Sequence, residues 1–296
     1  MRYLSAIGCA ALCACLLAGC NYCCPTDTAS PASPETTALK SESGEAACCS
    51  ACLETAAVAD AADKDWGTIK GQIVYAGDKL PEAVELKVDK DQQHCLEKGK
   101  LFNEEWVVNK DNKGIRWVFV WLATDPSAAK KDIPIHPSLK EIKEKKVTID
   151  QPCCGFVPHA LAVREGQIVV AKNSAPIAHN FNYAGHPLVN QGKNQLMPPK
   201  SEFEIDNLRA DEKFPVSVSC NIHGWMKAYV RVFNHPYFAV TNDKGEFEIK
   251  NAPAGDWRLK IWHDSGWRGG AMGRDGEKIT IKGGSVTDLG KLEMKP

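Results

Sequence analysis

The sequence predicts an all-β protein behind a leader and a linker, and three observations carry that prediction. From Trp66 onward, short runs alternate apolar and polar residues with a period of two. Clusters of Gly, Pro, Asn and Asp separate these runs and favour turns. Several short strands joined by such turns indicate a sandwich of packed sheets.

The first twenty residues read as a targeting segment. Arg2 supplies a positive start, and Leu4 to Ala18 is an apolar run too short to span a bilayer comfortably. Leu17-Ala18-Gly19-Cys20 resembles the bacterial lipoprotein cleavage site, which implies that Cys20 is lipidated and begins the mature chain. An ordinary secretory signal is the alternative. Asn21, where Asp would favour retention at an inner membrane, points outward. The expected location is the bacterial cell envelope, on the outer membrane facing the periplasm or at the cell surface.

Residues 21–65 are a linker by composition, rich in Ala, Ser, Thr, Glu and Pro, with no aromatic between Tyr22 and Trp66. Such a segment cannot bury enough apolar surface to order itself. The net charge of −1 divides into +1 from Arg2, −6 from the linker and +4 from residues 66–296. That mild excess lacks the clustered cations and aromatic platforms of a nucleic-acid binder.

In the folded part, Thr68 to Val74 and Glu85 to Val88 read as strands. Trp106 to Val108 and Ile115 to Leu122 flank a turn at Lys110 to Gly114 and read as a hairpin. Trp117-Val118-Phe119-Val120-Trp121-Leu122 is apolar on both faces, as a central strand would be. Pro134 to Lys145 reads as a loop with one helical turn. Lys146 to Asp150, Ala160 to Val163 and Gln167 to Lys172 supply further strands. Phe214, Val216 and Val218 alternate into Ser219-Cys220, and a second alternation runs from Ala228 to Phe233.

Between those last two strands lie Cys220, His223 and Met226, a thiolate, an imidazole and a thioether within seven residues. Two imidazoles, a thiolate and a weak axial thioether are what hold blue copper, and His179 is the candidate for the missing imidazole. A strand–loop–strand corner suits the task, because rigid strands fix the ends of a short ligand loop. Zinc also takes Cys and His, but Met226 is a poor zinc ligand.

Residues 160–234 resemble the cupredoxins, the blue copper family that includes plastocyanin and amicyanin. Asn173 to Asn180 is similar to the family's first-histidine segment, and Cys-x2-His-x2-Met to its short, amicyanin-like ligand loop. The resemblance implies a Greek-key sandwich, extended here by extra N-terminal strands, with one type 1 copper ion on His179, Cys220, His223 and Met226. Asn180 would lie behind the ligands and tie their two loops together. His223 would be the partly exposed ligand through which electrons pass, and Trp225 would belong to an apolar docking patch. A c-type cytochrome or a periplasmic oxidoreductase would be the partner. Ser219 and Trp225 depart from the plastocyanin pattern.

Thirteen cysteines need places. Three leave with the leader, Cys20 takes lipid and Cys220 takes metal. In an exported chain the remainder can form disulfides, and Cys95 is expected to pair with Cys153 or Cys154. Cys23-Cys24 and Cys48-Cys49-Ser50-Ala51-Cys52 stand in the linker as disulfide or soft-metal candidates; Leu53 rules out the haem-attachment pattern. His159, after Cys154-Gly155-Phe156-Val157-Pro158, is either part of a second metal site or a hydrogen-bonded structural residue. His94, His136, His186 and His263 read as structural.

After residue 236 the alternation resets, with Asp243-Lys244-Gly245-Glu246-Phe247-Glu248-Ile249 and Pro253-Ala254-Gly255-Asp256-Trp257-Arg258-Leu259. These resemble the signatures of the carboxypeptidase regulatory-like, or transthyretin-like, sandwich. The expected organisation is a leader (1–20), a disordered acidic, Ala-rich linker (21–65), a copper domain with its extension (66–235) and a small C-terminal sandwich (236–296). Sixty residues make a thin core, so the last should pack on the copper domain and share the strand at Thr68 to Val74.

The function expected is non-enzymatic: a tethered blue copper protein that carries single electrons. The alternatives are a copper-binding or delivery lipoprotein without redox turnover, and a structural two-sandwich surface protein. A multicopper enzyme would need further His-rich sites, which the sequence lacks.

Overall fold

The computed structural model describes residues 64–129, 132–211 and 213–296. Cys20, the linker cysteines and nearly all of the 21–65 segment lie outside the described residues. What is described is all-β, in strands β1 (Trp66–Tyr75), β2 (Phe119–Ala123), β3 (Lys146–Asp150), β4 (Ala160–Arg164), β5 (Ile168–Asn173), β6 (His179–Ala184), β7 (Lys193–Met197) and β8 (Ser201–Ile205). There follow β9 (Val216–Ser219), β10 (Lys227–Phe233), β11 (Phe238–Val240), β12 (Glu246–Pro253), β13 (Gly255–His263), β14 (Gly266–Trp267), β15 (Glu277–Ile281) and β16 (Val286–Met294). One short helix, α1 (Gln92–Cys95), and 3-10 turns at Pro137–Leu139 and Gly270–Asp275 complete the set. No helix among the described residues is long and apolar enough to cross a membrane.

The strands form two sandwiches. In the first, the sheet β3-β5-β8 covers the sheet β4-β10-β9-β6-β7 around a core that includes Ile149, Val169, Ala171, Phe181, Val218 and Val230. In the second, β12-β1-β16 covers β11-β2-β13-β14, with β15 paired to β13, around Ile69, Ile73, Val120, Leu122, Ile249 and Ile261.

A third apolar cluster lies between the sandwiches, and side-chain alternation builds it. Along β10, Ala228, Val230 and Val232 enter the first core, while Phe233 and the half-buried Tyr229 face the other way. Along β2, Val120 and Leu122 enter the second core, while Phe119 and Trp121 face back toward β10. Both strands are therefore buried on both faces, which explains the unbroken apolar run at Trp117 to Leu122. Arg231 is fully buried there, its guanidinium 4.3 Å from the Trp121 ring centre and 5.2 Å from that of Trp267. A desolvated cation on aromatic faces contributes about 2 kcal/mol.

The structure departs from the sequence reading in three places. Strand β2, expected in an extension of the copper domain, belongs to the second sandwich alongside β1, the strand that sandwich was expected to share, so its strands come from both sides of the expected boundary at 235/236. Glu85 to Val88 joins no sheet; it bonds residues 101–103 instead, through Leu86 N–H to the Leu101 carbonyl (2.9 Å) and Asn103 N–H to the Val84 carbonyl (2.9 Å). This narrow strap carries α1. The hairpin expected at Trp106 to Leu122 is reduced to a bridge between Val108 and Ile115. Trp117 then takes a left-handed φ of 71°, and the chain turns away to pair β2 with β11 and β13.

Candidate metal centre

Strand register brings the two distant segments together. β6 lies between β7 and β9, with His179 opposite Met197 and Asn182 opposite Ser219. Cys220, just past the end of β9, therefore arrives beside His179 and Asn180 at one end of the sheet. The loop from Cys220 to β10 closes on itself through Cys220 N–H to the Met226 carbonyl (3.3 Å) and Met226 N–H to the His223 carbonyl (3.0 Å).

Two asparagines hold the ligand segments. Asn173 is fully buried and donates to the carbonyls of Ile177 (2.9 Å) and Met197 (3.0 Å), while its Oδ1 accepts from Ala175 N–H (3.0 Å). The turn leading into His179 is thus clamped by one side chain. Asn180 Oδ1 accepts from the backbone N–H of Asn221 (2.7 Å) and Ile222 (3.2 Å), joining the two ligand segments.

Three donor atoms converge. His179 Nδ1 and His223 Nδ1 are 2.9 Å apart, and each lies 3.8 Å from Cys220 Sγ. An ion held at about 2.0 Å from nitrogen and 2.3 Å from sulfur, 120° apart, separates those ligands by about 3.8 Å. The donor set therefore fits a metal. Both histidines are fully shielded from solvent, and Cys220 and Met226 are 2% exposed. Met226 shares the core cluster of Cys220. Among the described residues, His179 Nε2 is buried without a hydrogen-bond partner, so Nδ1 is its working nitrogen.

The electrostatics favour a thiolate. Burial pushes the Cys220 thiol up. The imidazoles of His179 and His223 and the backbone N–H groups of Asn180 and His223 outweigh that and bring it down to about 5. Burial pushes His223 down, while Cys220 and Asp91 push it up by more, so it stands above the ordinary imidazole value.

Asp91 is the residue the sequence reading missed. It precedes α1 on the strap, and its Oδ2 is 2.8 Å from His223 Nε2. Nothing in the run Lys90-Asp91-Gln92-Gln93-His94 marks it, because its importance depends on a contact 132 positions away. The strap is tied down by a disulfide from Cys95 to Cys154, leaving Cys153 as a free, half-buried thiol. It corrects one expectation: His223 is not a partly exposed ligand, because the strap covers the edge that would face solvent. Trp225 is half-buried, its ring centre 5.2 Å from that of His223 and its indole N–H donated to the Cys154 carbonyl (3.1 Å).

The other histidines stay apart from the centre. His159 is buried between Glu104 (3.7 Å from Nδ1) and Asp264 (3.4 Å from Nε2), and is not among the donors close enough to share an ion in the described residues. His263 Nδ1 pairs with Ser265 Oγ (2.8 Å), His136 Nδ1 with Ser138 Oγ (2.8 Å), and His186 stacks on Phe214.

Among solved structures, part of the chain is similar to amicyanin. An oxidised proline variant of amicyanin matches over 38% of this chain and 98% of its own, at 20% identity and a TM-score of 0.27. A purple cupredoxin from Nitrosopumilus maritimus matches over 29% of this chain and 98% of its own, at 18% identity and a TM-score of 0.25. No protein family and no curated protein matches the chain.

Proposed function

We propose that the chain is a type 1 copper protein that carries single electrons between exported redox partners, tethered to a membrane by lipid on Cys20. The observation that supports this reading is the convergence of two imidazole nitrogens and a low-pKa thiolate on one point shielded from solvent. His179, Cys220 and His223 would hold the ion, with Met226 as the weak axial donor. One copper ion bound there supplies a one-electron couple. The residues of this chain keep the donors still: Asn173 fixes the approach to His179, Asn180 locks the two ligand segments, and strands end on either side of the loop. A site that barely rearranges suits rapid electron transfer.

Burial of both imidazoles weighs against copper delivery, which calls for accessible and exchangeable ligands. A c-type cytochrome or a periplasmic oxidoreductase remains the partner proposed. The test is to add copper(II) to the purified chain and record the visible spectrum and the midpoint potential. An intense thiolate-to-copper band with reversible cycling is expected. A colourless adduct, or one that does not cycle, would overturn the electron-carrier reading.

A further inference from the structure

The contact between Asp91 and His223 has a chemical direction. A carboxylate only accepts hydrogen bonds, so the proton of the His223 ring lies on Nε2, facing Asp91 at 2.8 Å. The lone pair then lies on Nδ1, the atom 2.9 Å from His179 Nδ1 at the convergence point. A carboxylate behind a ligating imidazole fixes the tautomer and ring orientation and makes the ring a stronger donor.

The contact is also built to stay in place. Asp91 sits at φ 46°, ψ 36°, a left-handed conformation that Asp and Asn tolerate better than other side chains with a Cβ. Four residues on, Cys95 is bonded to Cys154, and the Cys154 carbonyl takes the indole N–H of Trp225, two residues after His223. The strap thus meets the ligand loop directly at Asp91 and His223, and is tied to it a second time through Cys154. His223 is fully shielded, whereas the Asp91 side chain keeps 45% of its surface in solvent.

We propose that Asp91 is the positioning residue of this metal centre: it holds His223 with Nδ1 toward the ion and sets a negative charge one imidazole away, which favours the oxidised metal. The orienting role holds for the metal-free chain as well; the effect on the oxidised state rests on the copper reading above.

The experiment compares the full chain with Asp91→Asn and Asp91→Gly. Asn keeps an acceptor and the left-handed backbone but removes the charge. Gly keeps the backbone freedom and removes the side chain. Nitrogen NMR of the metal-free imidazoles should show His223 with its proton on Nε2 in the parent and in Asp91→Asn, and as a mixture of tautomers in Asp91→Gly. With copper bound, both variants should move to a higher midpoint potential, and Asp91→Gly should bind copper about 10–100-fold more weakly. An unchanged His223 tautomer in Asp91→Gly would sink the positioning role. An unchanged potential in Asp91→Asn would sink the charge effect. If the parent gives no thiolate–copper band, the copper reading and the charge effect fall with it, and the NMR result still decides the positioning role.

Discussion

Two buried histidine clusters, one around His179 and His223 and one around His159 and His263, differ in how their donors point. At the metal centre, three atoms of two chemical types converge on one point, at 2.9, 3.8 and 3.8 Å from each other. Around His159 the polar groups form a chain of pairs instead: Glu104 to one ring nitrogen, Asp264 to the other, and His263 beside Asp264 at 3.3 Å. Each ring nitrogen of His159 faces a different carboxylate, so no shared centre exists for an ion. A binding site needs convergence; a chain of pairs offers an ion no common point.

The largest effect that tests this contrast is expected from Cys220→Ser. Loss of the one thiolate should abolish the visible band completely, while His159→Ala should leave band and midpoint unchanged. Equal damage from both would make the two clusters one functional unit.

A pH titration sharpens the same contrast. Metal and proton compete for the Cys220 sulfur, and the folded thiol loses its proton near 5, below its ordinary value of 9.0. Copper affinity should therefore fall as pH drops through the raised His223 range, above 6.5, where that ring takes a proton, and fall more steeply below about 5, where the Cys220 sulfur takes one as well. Thiolate absorbance of the metal-free chain, taken as the difference from Cys220→Ser, should rise with a midpoint near 5. A midpoint near 9 would show that the imidazoles do not act on the sulfur.

Asn180→Ala should weaken copper binding by about 10–100-fold without removing it, since the donors remain and only their tie is lost. Competition against a chelator measures this. The smallest effect belongs to His159→Ala, expected to lower unfolding stability by about 1–3 kcal/mol by removing a buried ring and the nitrogen that faces the mostly buried Asp264. Denaturant unfolding reads it.

The donor set was legible in the sequence because Cys220, His223 and Met226 share one short loop, and alternation on either side marked the strands that hold it. The first histidine was legible through the Asn173 to Asn180 segment, whose amide clamp is a local device. Strands such as β10 and β13 were visible from period-two patterning alone. The unusual feature of β2, apolar on both faces, was visible as well, but not its cause: a strand with a core on either side needs a second sandwich, and that sandwich is assembled from segments more than 100 residues apart.

By itself, then, the chain's sequence determined the β class, the turns, the donor atoms and the pool of cysteines from which a disulfide would come, since each depends on neighbours within a few positions. Tertiary structure alone decided that Cys154 rather than Cys153 meets Cys95, that β2 serves the second sandwich, and that Asp91 closes over His223. These are outcomes of long-range packing, in which burial is gained by surfaces far apart along the chain. No local pattern records which surfaces will meet.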